Sequence, residues 1–122
     1  MIQEREYDSR QEALLAMQLV DEKKGLDPVL LEVSEITALA DYFLICSGTS
    51  PQQVQTLSDH LMQGLNEKGA HLRRLEGYRE GKWVLLDYGD LIVHIFQTEE
   101  RDFYNLERLW NQAAEITSSV SN

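Results

Sequence analysis

The sequence predicts an α/β fold, a single compact domain with a mixed central β-sheet and flanking helices. Three observations predict it. Residues 82–96 read as two strands around the turn Asp87-Tyr88-Gly89-Asp90, because β-branched and aromatic residues dominate both arms. Tyr42-Phe43-Leu44-Ile45-Cys46 is a second apolar run, and it leads directly into a helix start at Ser50-Pro51. Apolar residues at helical spacing then appear before, between and after the strand runs. The order is helix, two strands, helix, three strands, helix.

Taken in order, Ser9-Arg10-Gln11-Glu12 fits a capping box, and Leu15, Ala16, Leu19 and Val20 continue it as one apolar stripe. Lys23 and Lys24 suit the negative end of the helix, Gly25 can terminate it and Pro28 prevents a restart. The expected helix is 10–24. Residues 29–33 form the first strand and 42–46 the second. Ser50 as cap, Pro51 at the first helical position and Gln53 three after the cap begin the next helix. Val54, Leu57, Leu61, Met62 and Leu65 give it a buried stripe to about Lys68. Residues 72–76 can form a short edge strand. Thr98 can cap a last helix with Phe103, Leu106, Leu109 and Trp110 facing inward, and the ends, about 1–8 and 115–122, are expected to fray.

The hairpin admits two registers. A two-residue turn sets Asp90, Ile92, His94 and Phe96 beside Trp83 and leaves an aliphatic face of Val84, Leu86, Leu91, Val93 and Ile95. A three-residue turn ending in Gly89 sets Leu91, Val93 and Ile95 beside Trp83 instead. The tidier core favours the first and the glycine position the second. In both, Trp83, Leu85 and Asp87 share a mixed aromatic, aliphatic and acidic strip.

The 122 residues suffice for one core and are 43% apolar, so the chain is a folded domain. Eleven basic against twenty-one acidic residues give a net charge of −10. That balance argues against nucleic acid as the main ligand and suits a basic protein partner. Cys46 is alone and reads as a small buried hydrophobe. No apolar run approaches the roughly 20 residues that span a bilayer, and residues 1–6 lack a signal-peptide core, so the cytoplasm is the expected compartment.

Candidate chemistry is sparse. Gly48-Thr49-Ser50, between a strand and a helix, can bind an anion at the helix N-terminus and resembles the Gly-Ser turn of nucleotidyltransferases. That chemistry needs paired carboxylates for two metal ions, and Asp87 and Asp90 flank a turn instead of alternating on one strand. An ordinary helix cap is the simpler reading. His60, His71 and His94 show no metal-ligand spacing, and His94 is expected to hydrogen-bond Asp87 or Asp90. Trp83, with Asp87 and Tyr88 around it, has the composition of an interface centre with a polar rim.

Three blocks carry a resemblance to a known family. They are Ala40-Asp41-Tyr42-Phe43-Leu44-Ile45-Cys46-Ser47-Gly48-Thr49-Ser50 with Gln53-Val54, then Glu76-Gly77 with residues 83–96, then residues 101–110. In this order, spanning about 13–110, they resemble the Iojap-like family, whose bacterial members are the ribosomal silencing factors. The resemblance implies a nucleotidyltransferase-like fold without established enzymatic activity, with no catalytic residues, cofactor or metal. It implies binding to the large ribosomal subunit through large-subunit ribosomal protein fourteen, which blocks joining of the small subunit and represses translation. The contact residues it implies are Trp83 as anchor, Leu85, Asp87, Tyr88 and Asp90, with Glu76 and Tyr78 at the rim, and a homodimer is also expected. Two alternatives are a large-subunit assembly factor and a divergent metal-dependent nucleotidyltransferase using Ser50, Asp87 and Asp90.

Overall fold

The computed structural model describes residues 8–104 and 114–116. The elements are α1 (Ser9–Glu22), β1 (Leu26–Glu32), β2 (Tyr42–Gly48), α2 (Pro51–Glu67), β3 (Arg74–Glu76), β4 (Trp83–Asp87), β5 (Leu91–Gln97), α3 (Thr98–Tyr104) and β6 (Ala114–Ile116). The six strands form one sheet in the order β3-β4-β5-β2-β1-β6. Among the described residues only β2 and β5 run parallel, and the other pairings are antiparallel, so the sheet is mixed. The predicted fold class holds, with one strand more than expected.

β2 lies near the middle, and all seven of its residues are buried, as its unbroken apolar run requires. Its pairing with β5 runs from Tyr42↔Leu91 to Gly48↔Gln97. α1 and α2 cover one face of the sheet. Ala13, Ala16, Leu19 and Val20 of α1 and Val54, Leu57, Leu61 and Leu65 of α2 pack on Leu30, Leu44, Cys46, Val84, Leu86, Leu91, Val93 and Ile95. Burying each large aliphatic side chain stabilises the fold by about 1.5–3 kcal/mol. Cys46 belongs to this core, and burial pushes its thiol up to about 12, so it stays protonated and inert at neutral pH.

This core decides the hairpin. Trp83 pairs with Phe96, Leu85 with His94 and Asp87 with Ile92, which is the two-residue register. Val84, Leu86, Leu91, Val93 and Ile95 are all fully buried on the helix side. A slip of one residue would turn the whole set outward, a loss that exceeds any preference of the turn. Gly89 accommodates the register at φ 89°, and its N–H donates to Asp87 Oδ1 at 2.8 Å. The position fits the first central residue of a turn that needs positive φ.

Several local expectations change. α1 is capped by Asp8, not Ser9: the Asp8 carboxylate accepts from the Gln11 N–H at 3.0 Å, and the Gln11 side chain returns a bond to the Asp8 N–H at 3.3 Å. A carboxylate at the positive end of the helix is the stronger acceptor. The Ser9 hydroxyl instead donates to Asp41 Oδ2 at 3.1 Å, tying α1 to the start of β2. Past α1 the left-handed residue is Lys24, φ 61°, ahead of Gly25. β1 begins earlier than expected because a bulge between Leu26 and Val29 absorbs Asp27 and Pro28. Fraying expected from residue 115 gives way to β6, which pairs antiparallel with β1. Leu106, Leu109 and Trp110, and the side chain of Phe103, lie outside the described residues. α3 is anchored by the buried Arg101, whose Nη1 donates to Ser47 Oγ at 3.0 Å and to the Leu26 carbonyl at 3.4 Å.

Gly77 lets the β3–β4 connection pass tightly over Trp83. Its φ is 78°, and an added Cβ would run into the Trp83 carbonyl oxygen. Gly77→Ala should therefore destabilise the fold by about 2 kcal/mol or more. The check is the shift of the urea midpoint followed by circular dichroism; an unchanged midpoint would show that the loop relaxes freely.

Candidate interaction surface

The second face of the sheet differs chemically from the first. Leu31, Val33, Phe43, Ile45 and Phe96 form its buried part, and Val29, Trp83 and Ile92 pack around them half-buried. Alternation along β4 puts Trp83, Leu85 and Asp87 here. Antiparallel pairing of Arg74 with Asp87 and Glu76 with Leu85 adds β3 to the same face.

Trp83 is held by two contacts. Its indole stacks on the Phe96 ring, with centroids 4.9 Å apart and planes at 30°. Its Nε1–H donates to His94 Nδ1 at 3.2 Å. His94 meets Phe43 edge-on at 5.4 Å and is only 6% exposed. An Nδ1 that accepts must be unprotonated, so the neutral ring carries its proton on Nε2. Burial pushes His94 down to about 4, which keeps this tautomer in place at neutral pH. The expected bond from His94 to Asp87 or Asp90 is replaced by the one to Trp83. Asp87 is engaged elsewhere: Oδ1 accepts from Gly89, and Oδ2 lies 3.4 Å from Arg74 Nε. Arg74 Nη1 also donates to Glu76 Oε2 at 2.9 Å, and both side chains are more than half exposed.

Of the seven residues singled out from the sequence, the structure brings Glu76, Trp83, Leu85 and Asp87 together on one face. Asp90 sits at the exposed tip of the adjoining turn, where its carbonyl accepts from the Asp41 and Tyr42 N–H groups. Tyr88 does not join them. It follows Leu86 in the alternation and is buried to 6% exposure in the helix-side core. Tyr78 also points away, donating its hydroxyl to the Asp59 carboxylate of α2 at 2.9 Å. That bond raises the tyrosine above its usual range. His94 and Arg74 are the residues missed. His94 could have been found only by choosing the hairpin register first.

The turn before α2 is closed by its own side chains. Ser50 Oγ accepts from the Gln53 N–H at 3.1 Å, and Gln53 Oε1 accepts from the Thr49 N–H at 2.7 Å and from the Thr49 hydroxyl at 3.1 Å. Gln53 Nε2 also donates to the Lys24 carbonyl at 3.2 Å. Nor does the sheet bring Ser50 to the two aspartates. Asp87 lies in the row of Ile92 and Phe43, whereas Gly48 pairs with Gln97. Five residues of strand separate those rows, roughly 17 Å. Among the described residues no group of three or more His, Cys, Asp or Glu side chains gathers in a metal-binding arrangement.

Comparison with known proteins adds the family. The model described as ribosomal silencing factor during starvation matches residues 6–122. The chain belongs to the ribosomal silencing factor family. A ribosomal silencing factor of Halalkalibacterium halodurans is 46% identical over 109 residues, which cover 88% of this chain and 93% of the relative. A crystal structure of a Chromobacterium violaceum protein superposes with a TM-score of 0.84 at 32% identity, covering 86% of this chain and 88% of that one. A more distant mouse relative, named mitochondrial assembly of ribosomal large subunit protein 1, is 26% identical across 79% of this chain and 43% of its own length. The family resemblance carried by the three sequence blocks is thereby borne out, as is the α/β domain. No helix among the described residues is long and apolar enough to cross a membrane.

The burial of His94 sets a pH dependence. The folded protein holds the ring neutral down to about pH 4, whereas the unfolded chain takes up a proton from about 6.5. Its contribution to stability is complete above pH 6.5 and is lost as the pH falls toward 4. Between pH 7 and 4.5 the wild-type protein should lose about 2 kcal/mol more than His94→Leu. Urea denaturation of both proteins at the two pH values measures this, and equal losses would contradict it.

Proposed function

We propose that this protein binds the large ribosomal subunit through large-subunit ribosomal protein fourteen, blocks joining of the small subunit and so represses translation, without catalysis of its own. The observation that carries this reading is the family match across residues 6–122. The second face of the sheet supplies a surface with suitable chemistry. Trp83 is the apolar anchor, Leu85 lies beside it, and Glu76, Asp87 and Asp90 offer carboxylates to Lys and Arg of the partner. The net charge of −10 favours approach to a basic ribosomal protein. Tyr78, bonded to Asp59 of α2, and Tyr88, buried on the helix side, fall outside this surface. The reading extends to a cytoplasmic protein and, on the resemblance, to a homodimer. The name of the mouse relative supports a second reading, a factor in large-subunit assembly. Preferential binding to precursor over mature subunits would select it.

The test is co-sedimentation with purified bacterial large subunits, followed by addition of small subunits. The protein should pellet with the large subunit and reduce the yield of joined ribosomes. Trp83→Ala should weaken binding by about tenfold or more, as truncation of a central aromatic anchor does. Glu76→Lys should weaken it most at low salt, because an exposed carboxylate acts through a screened field. Glu76 is a cleaner probe of charge than Asp87, which also builds the turn. Retention in the supernatant at moderate salt would overturn the function, and normal binding by both variants would overturn the surface.

A further inference from the structure

We infer that His94 is a positioning residue for recognition: it takes the indole N–H of Trp83 inward and so presents the ring to the partner as a purely apolar edge. The inference rests on the reading of Trp83 as the anchor and goes beyond it in naming what the partner must offer there. An indole has a single polar hydrogen. In this structure that hydrogen is directed at His94 Nδ1, 3.2 Å from Nε1, while one face of the ring lies on Phe96. The acceptor is itself fixed. His94 is flanked across the sheet by Leu85 and Ile45, and Phe43 stands edge-on to it. An Nδ1 acceptor in this apolar setting has little freedom to turn away.

The consequence is a division of labour on the surface. A free indole would attract a carbonyl or carboxylate of the partner. This one offers hydrocarbon. The matching group on the partner is an aliphatic or aromatic side chain, and the basic groups that give affinity for an acidic surface must align with Glu76 and Asp87 beside it.

Two substitutions of similar size separate positioning from mere support. Asn can place its Oδ1 where Nδ1 stands and keep an acceptor for the indole; Leu cannot. Leu, being apolar, suits the buried site better than an amide. Positioning therefore requires stability and binding to move in opposite directions. His94→Leu should be at least as stable as His94→Asn, yet bind purified large subunits about tenfold more weakly than the wild type, the equivalent of one lost hydrogen bond. His94→Asn should bind more tightly than His94→Leu despite its lower stability. In a Trp83→Phe background, which has no N–H to hold, His94→Leu should cost no further affinity. The indole N–H resonance of Trp83, assigned by its absence in Trp83→Phe, should exchange with solvent slowly in the wild type and faster in His94→Leu.

The outcomes are distinguishable. Wild-type binding by Trp83→Ala overturns the anchor reading, and the role of His94 falls with it. Loss of binding by Trp83→Ala with wild-type binding by His94→Leu overturns the His94 inference and leaves the anchor in place. Binding that follows stability across the Leu and Asn variants reduces His94 to a structural residue and also overturns it.

Discussion

The parallel ladder between β2 and β5 is the constraint on which the other elements depend. It joins two strands distant in sequence, so the chain between them must cross over, and α2 makes that crossing on the helix-covered face. The sheet then grows outward from the ladder by antiparallel additions, β4 and β3 on one side and β1 and β6 on the other. The ladder is tied off at one end by the Asp90 carbonyl, which receives both the Asp41 and Tyr42 N–H groups. The tip of the hairpin is thereby bonded to the first residue of the most buried strand. The position of the face that carries Trp83 relative to the core is set by these backbone bonds, before any side chain on it is considered.

The two faces of the sheet share this backbone but differ in kind. The helix side is aliphatic and closed, with its sheet residues at or near zero exposure. The other side is built from aromatic rings stepping across three strands, Phe43, His94, Phe96 and Trp83, with charge along its outer edge on β3. Alternation along β4 assigns Val84 and Leu86 to stability and Trp83, Leu85 and Asp87 to the surface. Substitutions at Trp83 and Leu85 therefore leave the helix-side core closed. The exception is Asp87, whose carboxylate closes the turn as well as contributing charge.

Much of this was legible from residue order. The buried run at Tyr42, the Ser50-Pro51 helix start and the two arms of the hairpin are signals in which local propensity and burial agree. The register was not legible, because Gly89 and the aliphatic face pointed to different turns, and only the packing of α1 and α2 decides between them. One misreading follows from that ambiguity. Tyr88 reads as a surface residue while its place in the alternation is open, and as core once Leu86 faces the helices. The misreading of His94 has another cause: the register sets it diagonally between Trp83 and Asp87, and Asp87 is taken by the Gly89 N–H and Arg74, which leaves the indole as its partner. The sixth strand escaped for a different reason: Ala114-Glu115-Ile116 has no strong strand signal of its own, and its extended form comes from pairing with the free edge of β1. At α1, both Asp8 and Ser9 are competent caps, and the distant need of Asp41 for a donor separates them.

The turn at Gly48-Thr49-Ser50 carries a consequence for what the helix end can bind. In a nucleotide-using relative of this architecture, the amides here would have to be vacant to receive phosphate. In this chain Gln53 fills the space from within, holding the Thr49 amide and hydroxyl with one end of its carboxamide and the Lys24 carbonyl with the other. What resembles an empty seat in the sequence is a keystone in the fold, bracing the start of α2 against the chain that leaves α1. A phosphate could reach the Thr49 amide only by displacing that brace, so the glutamine that steadies the domain also closes this turn to anions.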